Sequence, residues 1–127
     1  MKLNSLYVSC TNLNRATNWY RQHLVNREPD NQTDRFIFWK LGEVHFGLFD
    51  ANAVDEAIDY GNNCVPNFEI EDVDGLHDRL TEVGVPIVMP PNNVNGTRIF
   101  QCKDSEGNVL EFYAWLEKHN LSAGLGI

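Results

Sequence analysis

Two halves of this 127-residue chain follow one plan, and a plan used twice leaves few folds to choose from. In the first half Leu6 and Val8 alternate with Ser5, Tyr7 and Ser9, the period of a strand with two unlike faces. Thr11 or Asn12 then offers a helix cap, and Leu13, Ala16, Tyr20 and Leu24 recur at helical spacing. Polar residues from Pro29 to Asp34 supply turns and room for a short edge strand. They lead into RFIFWKL and VHFGLF, two strands joined around Gly42. From Cys64 the succession restarts. NFEIE reads as a strand with Pro66 at its start, and Asp72 caps a helix with Val73, Leu76, Leu80 and Val83 inward, ended by Gly84. PIVMP, the loop PNNVNG, and the strands TRIFQCK and VLEFYAW about the turn DSEGN complete the second half.

Superposing the halves puts Val8 on Phe68 and Asn12 on Asp72, an offset of 60; Phe36 then falls on Phe100, Phe46 on Leu110 and Leu48 on Phe112, an offset of 64. The four extra residues of the second half fit most simply near PPNNVNG. This predicts an α+β fold of two tandem β-α-β-β-β modules in a single domain over 1–127. Module one covers about 1–50, a connector 51–62 with a helical turn at AVDEAI, module two about 63–116, and a short tail 117–127.

A hydrophobic fraction of 43% with 22% charged residues suits one ordinary globular core. The formal charge of −8 disfavours nucleic acid and anionic lipid, which are bound through clustered Lys and Arg. No apolar run is long enough to span a bilayer, so a cytoplasmic location and no membrane partner are expected. Cys10, Cys64 and Cys102 are odd in number and unpaired in spacing, and read as small core residues.

MKLNSLYVSCTNLNRATNWYRQHL, with Trp19, Tyr20 and Leu24 closing its helix, resembles the opening of the vicinal-oxygen-chelate superfamily, the glyoxalase, bleomycin-resistance and extradiol-dioxygenase group. FEIEDVDGLHDRLTEVGVPI resembles the start of that family's second module. KDSEGNVLEFY resembles its closing hairpin, with Ser105 in place of a usual proline and Gly107 and Asn108 retained. The resemblance covers nearly the whole chain and implies two modules curled into a half-open barrel. It implies also that metal-dependent members place a ligand at the positions occupied here by Ser5, Gly47, Val65 and Glu111. Only Glu111 is a usual ligand type, whereas a divalent first-row metal takes about three protein donors. The resemblance therefore implies a member that has lost the chelate, with no cofactor expected.

With Glu111 facing the barrel interior, period two assigns Ser5, Tyr7, Ser9, His45, Gly47, Phe49, Val65, Asn67, Glu69, Val109 and Tyr113 to the same face. The opposite face holds Leu6, Val8, Val44, Phe46, Leu48, Phe68, Ile70, Leu110 and Phe112, all apolar, and is the expected core. The mixed face suits a ligand pocket, with Trp39 or Phe38 added from a strand whose phase the sequence leaves open. A merely wet sheet face is the bland alternative.

Glu111 is the candidate catalytic residue, readable as a general base, a metal ligand or a hydrogen-bonded structural carboxylate. The expected ligand-binding residues are Ser5, Tyr7, Trp39, His45, Asn67, Glu69, Arg98 and Tyr113, with Arg98 a clamp for an anionic group and PPNNVNG a lid. His45 with Glu111 and Glu69 forms a displaced metal site only as a weak alternative. His23, His77 and His119 read as structural or solvated. The leading expectation is a metal-independent protein that encloses a small, cationic or aromatic molecule, as the likeness to bleomycin-resistance proteins implies, and that forms a homodimer. The alternative is a lyase, isomerase or dioxygenase-type enzyme with a displaced metal site or with Glu111 as base.

Overall fold

The computed structural model describes residues 3–53, 58–61 and 64–116. Most of AVDEAI, the 117–127 tail and His119 lie outside the described residues. The chain divides into two compact units, Met1–Gly61 with Asp104–Asn108, and Asn62–Lys103 with Val109–Ile127. Among the described residues no helix is long and apolar enough to cross a membrane.

In the first unit, β1 (Ser5–Cys10) leads to α1 (Leu13–Tyr20), and β2 (Asn31–Gln32), β3 (Phe36–Leu41) and β4 (Val44–Asp50) follow in the sheet order β1-β4-β3-β2. Asn12 starts α1 because its backbone is extended and its side chain accepts the Arg15 N–H at 3.0 Å, satisfying a donor the first turn leaves free. The helix runs on through a wider π-type turn, Arg21–Val25, and stops at Asn26, whose φ of 61° reverses the chain. Ala16 and Tyr20 are fully buried, as are Trp39 and Leu48, with Ile37 and Phe46 close to it. Strand β1 runs parallel to β4, with Ser5 beside His45 and Tyr7 beside Gly47.

The second unit repeats this with β5 (Asn67–Glu69), α2 (Val73–Glu82), β6 (Ile87–Val94), β7 (Thr97–Lys103) and β8 (Val109–Trp115), in the order β5-β8-β7-β6. Asp72 caps α2 by accepting the Gly75 N–H at 3.0 Å. The helix-side face of β7 and β8 carries Phe100, Cys102, Leu110 and Phe112, none more than 1% exposed, packed with Leu76 and Leu80 of α2.

The expected face assignment holds for β1, β4, β5 and β8, but four local expectations are corrected. Val83 is not inward: it is the C-cap of α2 and is 60% exposed, and Val85, beyond the turn, is buried in its place. PPNNVNG is not a loop: Pro90 to Val94 extend β6, and only Asn95 and Gly96, with φ of 49° and 81°, make the turn into β7. Two prolines are tolerated there because β6 is an edge strand and its register shifts on either side of Met89. Cys64 is exposed, although Cys10 and Cys102 are buried.

The fourth correction concerns the repeat. Leu48 pairs with Ile37 and Phe112 with Phe100, so Ile37, not Phe36, corresponds to Phe100, an offset of 63. The offsets of 60 for β1 to β5 and 64 for β4 to β8 stand. Three of the four added residues therefore precede β7, and the fourth lies in the turn between β7 and β8.

That turn, Asp104–Asn108, belongs to the first unit. The buried Asp104 carboxylate accepts the Tyr20 hydroxyl at 2.7 Å, the Asn108 side-chain amide at 2.9 Å, and the backbone N–H groups of Glu106 and Asn108 at 2.8 Å each. Asn108 also donates to the Ser9 carbonyl at 3.1 Å. Above this knot Arg15 grips both Glu106 oxygens, at 2.7 and 2.8 Å, with Ser105 and the Thr11 N–H as further donors. The Arg15 bonds, then those from Ser105 and Thr11, outweigh burial and hold the Glu106 carboxyl down to about 2, from an ordinary value of 4.5. A depressed carboxyl stabilises the fold above its unfolded pKa, and that contribution is lost as pH falls through the folded one. Stability should therefore drop between about pH 4.5 and pH 2. Urea unfolding of Glu106→Gln over this range is expected to show a flatter pH profile than the parent. Coincident profiles would remove Glu106 from the acid response.

Candidate functional site

In the second unit, register places Asn67, Glu111 and Gln101 side by side on β5, β8 and β7, on the face away from α2. Asn67 Nδ2 donates to Glu111 Oε2 at 2.6 Å and Gln101 Nε2 to Glu111 Oε1 at 2.9 Å, so each carboxylate oxygen is held from a different neighbouring strand. Among the described residues no Lys, Arg or His lies within ion-pair distance of Glu111. One step along the strands, Tyr113 donates its hydroxyl to Glu69 Oε1 at 3.1 Å. Burial first, then the hydrogen bond to the Glu69 carboxylate, pushes the Tyr113 hydroxyl above its ordinary pKa, so it stays a donor at neutral pH. Its ring meets Trp115 edge-on at 5.8 Å.

In the first unit the matching face is aromatic. Tyr7, 52% exposed, contacts Phe36 at 5.4 Å and Phe49 at 5.6 Å, and Phe36 lies on Phe49 at 4.8 Å and stacks on Phe38 at 5.4 Å. Ser5 and His45 are exposed neighbours at one end of this sheet.

The phase left open for β3 is resolved by Ile37 and Trp39 entering the core, which turns Phe36 and Phe38 to the open face. Trp39, expected to bind ligand, is fully buried, and its indole N–H is used by the Arg27 carbonyl at 3.0 Å. Arg98 is likewise corrected. It shares the phase of Phe100 and Cys102, which aims it toward α2, where it pairs with Asp74 at 2.9 and 3.2 Å and bonds Asn93 at 3.2 Å. His23 packs edge-on against Trp19 and His77 against Phe100, consistent with structural roles. Of the expected site residues, the structure brings together Asn67 with Glu111 and Glu69 with Tyr113 in one unit, and Ser5 with His45 in the other. Gln101 and Phe36 were missed, because both sit on hairpin strands whose phase depends on one residue of turn length.

These two sheets, each with a parallel outer strand and a helix on one face, carry the repeat seen in the sequence, and the family model of the Glyoxalase/Bleomycin resistance protein/Dioxygenase superfamily matches residues 2–112. The chain belongs to this superfamily. Solved structures of similar fold include a lactoylglutathione lyase from Agrobacterium tumefaciens, at 21% identity and TM-score 0.68, covering 89% of this chain and 92% of that one. A glyoxalase-related enzyme from Fulvimarina pelagi is similar at 12% identity and TM-score 0.72, with 89% and 87% covered. A glyoxalase/bleomycin resistance protein/dioxygenase family enzyme from Burkholderia phytofirmans PsJN is similar at 15% identity and TM-score 0.69, with 91% and 100% covered. At these identities the likeness is one of fold. No curated protein matches the chain.

The metal that some members of the glyoxalase superfamily hold does not fit the residues present here. Of the four inherited positions, Ser5 and Val65 offer no usual ligand, and Glu111 already engages an amide on each oxygen. Position 47 is closed sterically: a Cβ on Gly47 would lie 2.5 Å from two carbons of the Phe38 ring and 2.9 Å from the Ile37 carbonyl oxygen. No ligating side chain can stand there without moving backbone. Among the described residues no group of three or more His, Cys, Asp or Glu could hold a metal ion. Gly47→Ala is accordingly expected to lower stability by about 1–3 kcal/mol through overpacking. Denaturant unfolding measures it, and an unchanged midpoint would show that Phe38 yields freely.

Proposed function

We propose that this chain is a binding protein for a small organic cation with an apolar or aromatic portion, acting without the superfamily's metal. The observation that carries the reading is Glu111, a carboxylate fixed by two amides on an open sheet face with no cation paired to it among the described residues. Glu69 adds a second carboxylate on the same face, and Tyr113 and Trp115 add rings against which an apolar portion can lie. A desolvated organic cation meeting a held carboxylate forms a charge-assisted bond, about twice as strong as a neutral one.

The test pairs two measurements on Glu111→Gln. Its melting curve should stay close to the parent's, because one flanking amide can turn to present its oxygen to the new amide. Calorimetric titration with aromatic amines and amidines should show affinity falling by about 10- to 100-fold, the loss expected for a hydrogen bond to a charged group. Matched aromatic carboxylates should bind neither protein. Unchanged affinity in a normally folded variant would overturn the reading.

A further inference from the structure

The row Asn67–Glu111–Gln101 has a directional property that net charge does not describe. Its members occupy the same register on three adjacent strands, with β8 in the middle, so the amides approach the Glu111 carboxylate from opposite sides. Oε2 is tied toward β5 at 2.6 Å and Oε1 toward β7 at 2.9 Å. A carboxylate bridged in this way has its plane set across the strands. Amides to either side take the outward lone pairs and leave the two inner ones parallel, directed away from the sheet. The side-chain oxygens of Asn67 and Gln101, whose nitrogens make these bonds, accept no hydrogen bond among the described residues. The face therefore presents a flat line of acceptors, two of them carboxylate oxygens at the spacing of a guanidinium fork. A primary ammonium, a compact point charge, gains little from such a line.

We infer that this row selects a planar, two-pronged cation, a guanidinium or amidinium group, over a primary ammonium on the same frame. The inference rests on the proposed function and narrows its ligand class. Tyr113, two residues along β8 on the same face with its hydroxyl held by Glu69, offers a ring whose face attracts a planar cation.

The experiment compares benzamidinium with benzylammonium, which share a ring and a charge of one, by calorimetric titration of the full chain at neutral pH. Benzamidinium is expected to bind about tenfold more tightly or better. The preference should shrink in Gln101→Ala, which frees one oxygen and lets the carboxylate plane turn. It should vanish in Glu111→Gln, and in Glu111→Asp, whose shorter side chain draws the carboxylate off both amides and serves as the second variant should the first fail to fold. Equal affinities that are both lost in Glu111→Gln would overturn the inference and leave the proposed function standing. Binding of neither cation would overturn both. A preference that survives Glu111→Gln would remove it from this row.

Discussion

Phe112→Ala is expected to lower the unfolding free energy by about 3–5 kcal/mol, the largest loss from any single core truncation in the second unit. Phe112 is 1% exposed and is the middle ring of a stack, with Phe68 at 5.4 Å and Phe100 at 5.1 Å, both nearly parallel to it. Truncation removes the transfer energy of the ring and opens a cavity flanked by two strands that register holds apart, so collapse is limited. Leu48→Ala, at the equivalent place in the first unit and fully buried, should cost about 2–5 kcal/mol. Asn67→Ala, on the other face, forfeits one exposed hydrogen bond, worth about 1 kcal/mol. Chemical denaturation of the three variants gives the ranking, and an Asn67 loss larger than that of Phe112 would mean the two sheet faces are exchanged.

A loss of similar size, about 3–5 kcal/mol, is expected for Asp104→Ala, although this side chain is polar. Its carboxylate satisfies four donors in a site only 5% exposed. Removing it deprives the Tyr20 hydroxyl of this acceptor and leaves the backbone N–H groups of Glu106 and Asn108 without theirs, at about 1–3 kcal/mol for each donor left unmet. Tyr20→Phe alone should cost about 1–2 kcal/mol, and the same change in the Asp104→Ala background should cost less, since the hydrogen bond the two side chains share is already gone. Additive losses would mean that the two side chains do not act through their shared hydrogen bond.

The sequence made the architecture legible where each position had one plausible role. Asn12 and Asp72 are polar residues placed just before apolar helical periods, and both cap. On β1, β4, β5 and β8 polar and apolar residues alternate, so fixing Glu111 fixed the rest. Legibility failed where both faces of a strand are apolar. In RFIFWKL, Phe36 and Phe38 on one face and Ile37 and Trp39 on the other obey the same alternation whichever face is the core. Strand β7 is ambiguous because each face mixes polar and apolar residues, Arg98 with Phe100 and Cys102 on one and Ile99 with Thr97, Gln101 and Lys103 on the other, and its phase depends on counting residues through a turn that is one longer than its counterpart. Arg98 entered the expected site because it follows PPNNVNG, and with the phase of its strand open nothing singled out Gln101. PPNNV looked like a loop because proline usually ends a strand; an edge position with shifted register removes the objection, and neither property is written in local sequence.

The turn at Asp104–Asn108 has a consequence for the order in which the protein is made. The ribosome delivers residues 1–61 long before this turn, so the emerging first unit lacks the acceptor for Tyr20 and the carboxylate for Arg15. The second unit is no more advanced, since β5 has no partner in its own sheet until β8 follows the same turn. The closing hairpin therefore completes both units within a dozen or so codons of each other, and a nascent chain halted before it contains neither in finished form. A gene cut at the apparent boundary near residue 61 would yield a first fragment without the Asp104–Asn108 turn that belongs to its unit, and a second that carries this turn without the Tyr20 and Arg15 side chains it bonds. The duplication visible in the sequence is thus no longer divisible into two independent proteins.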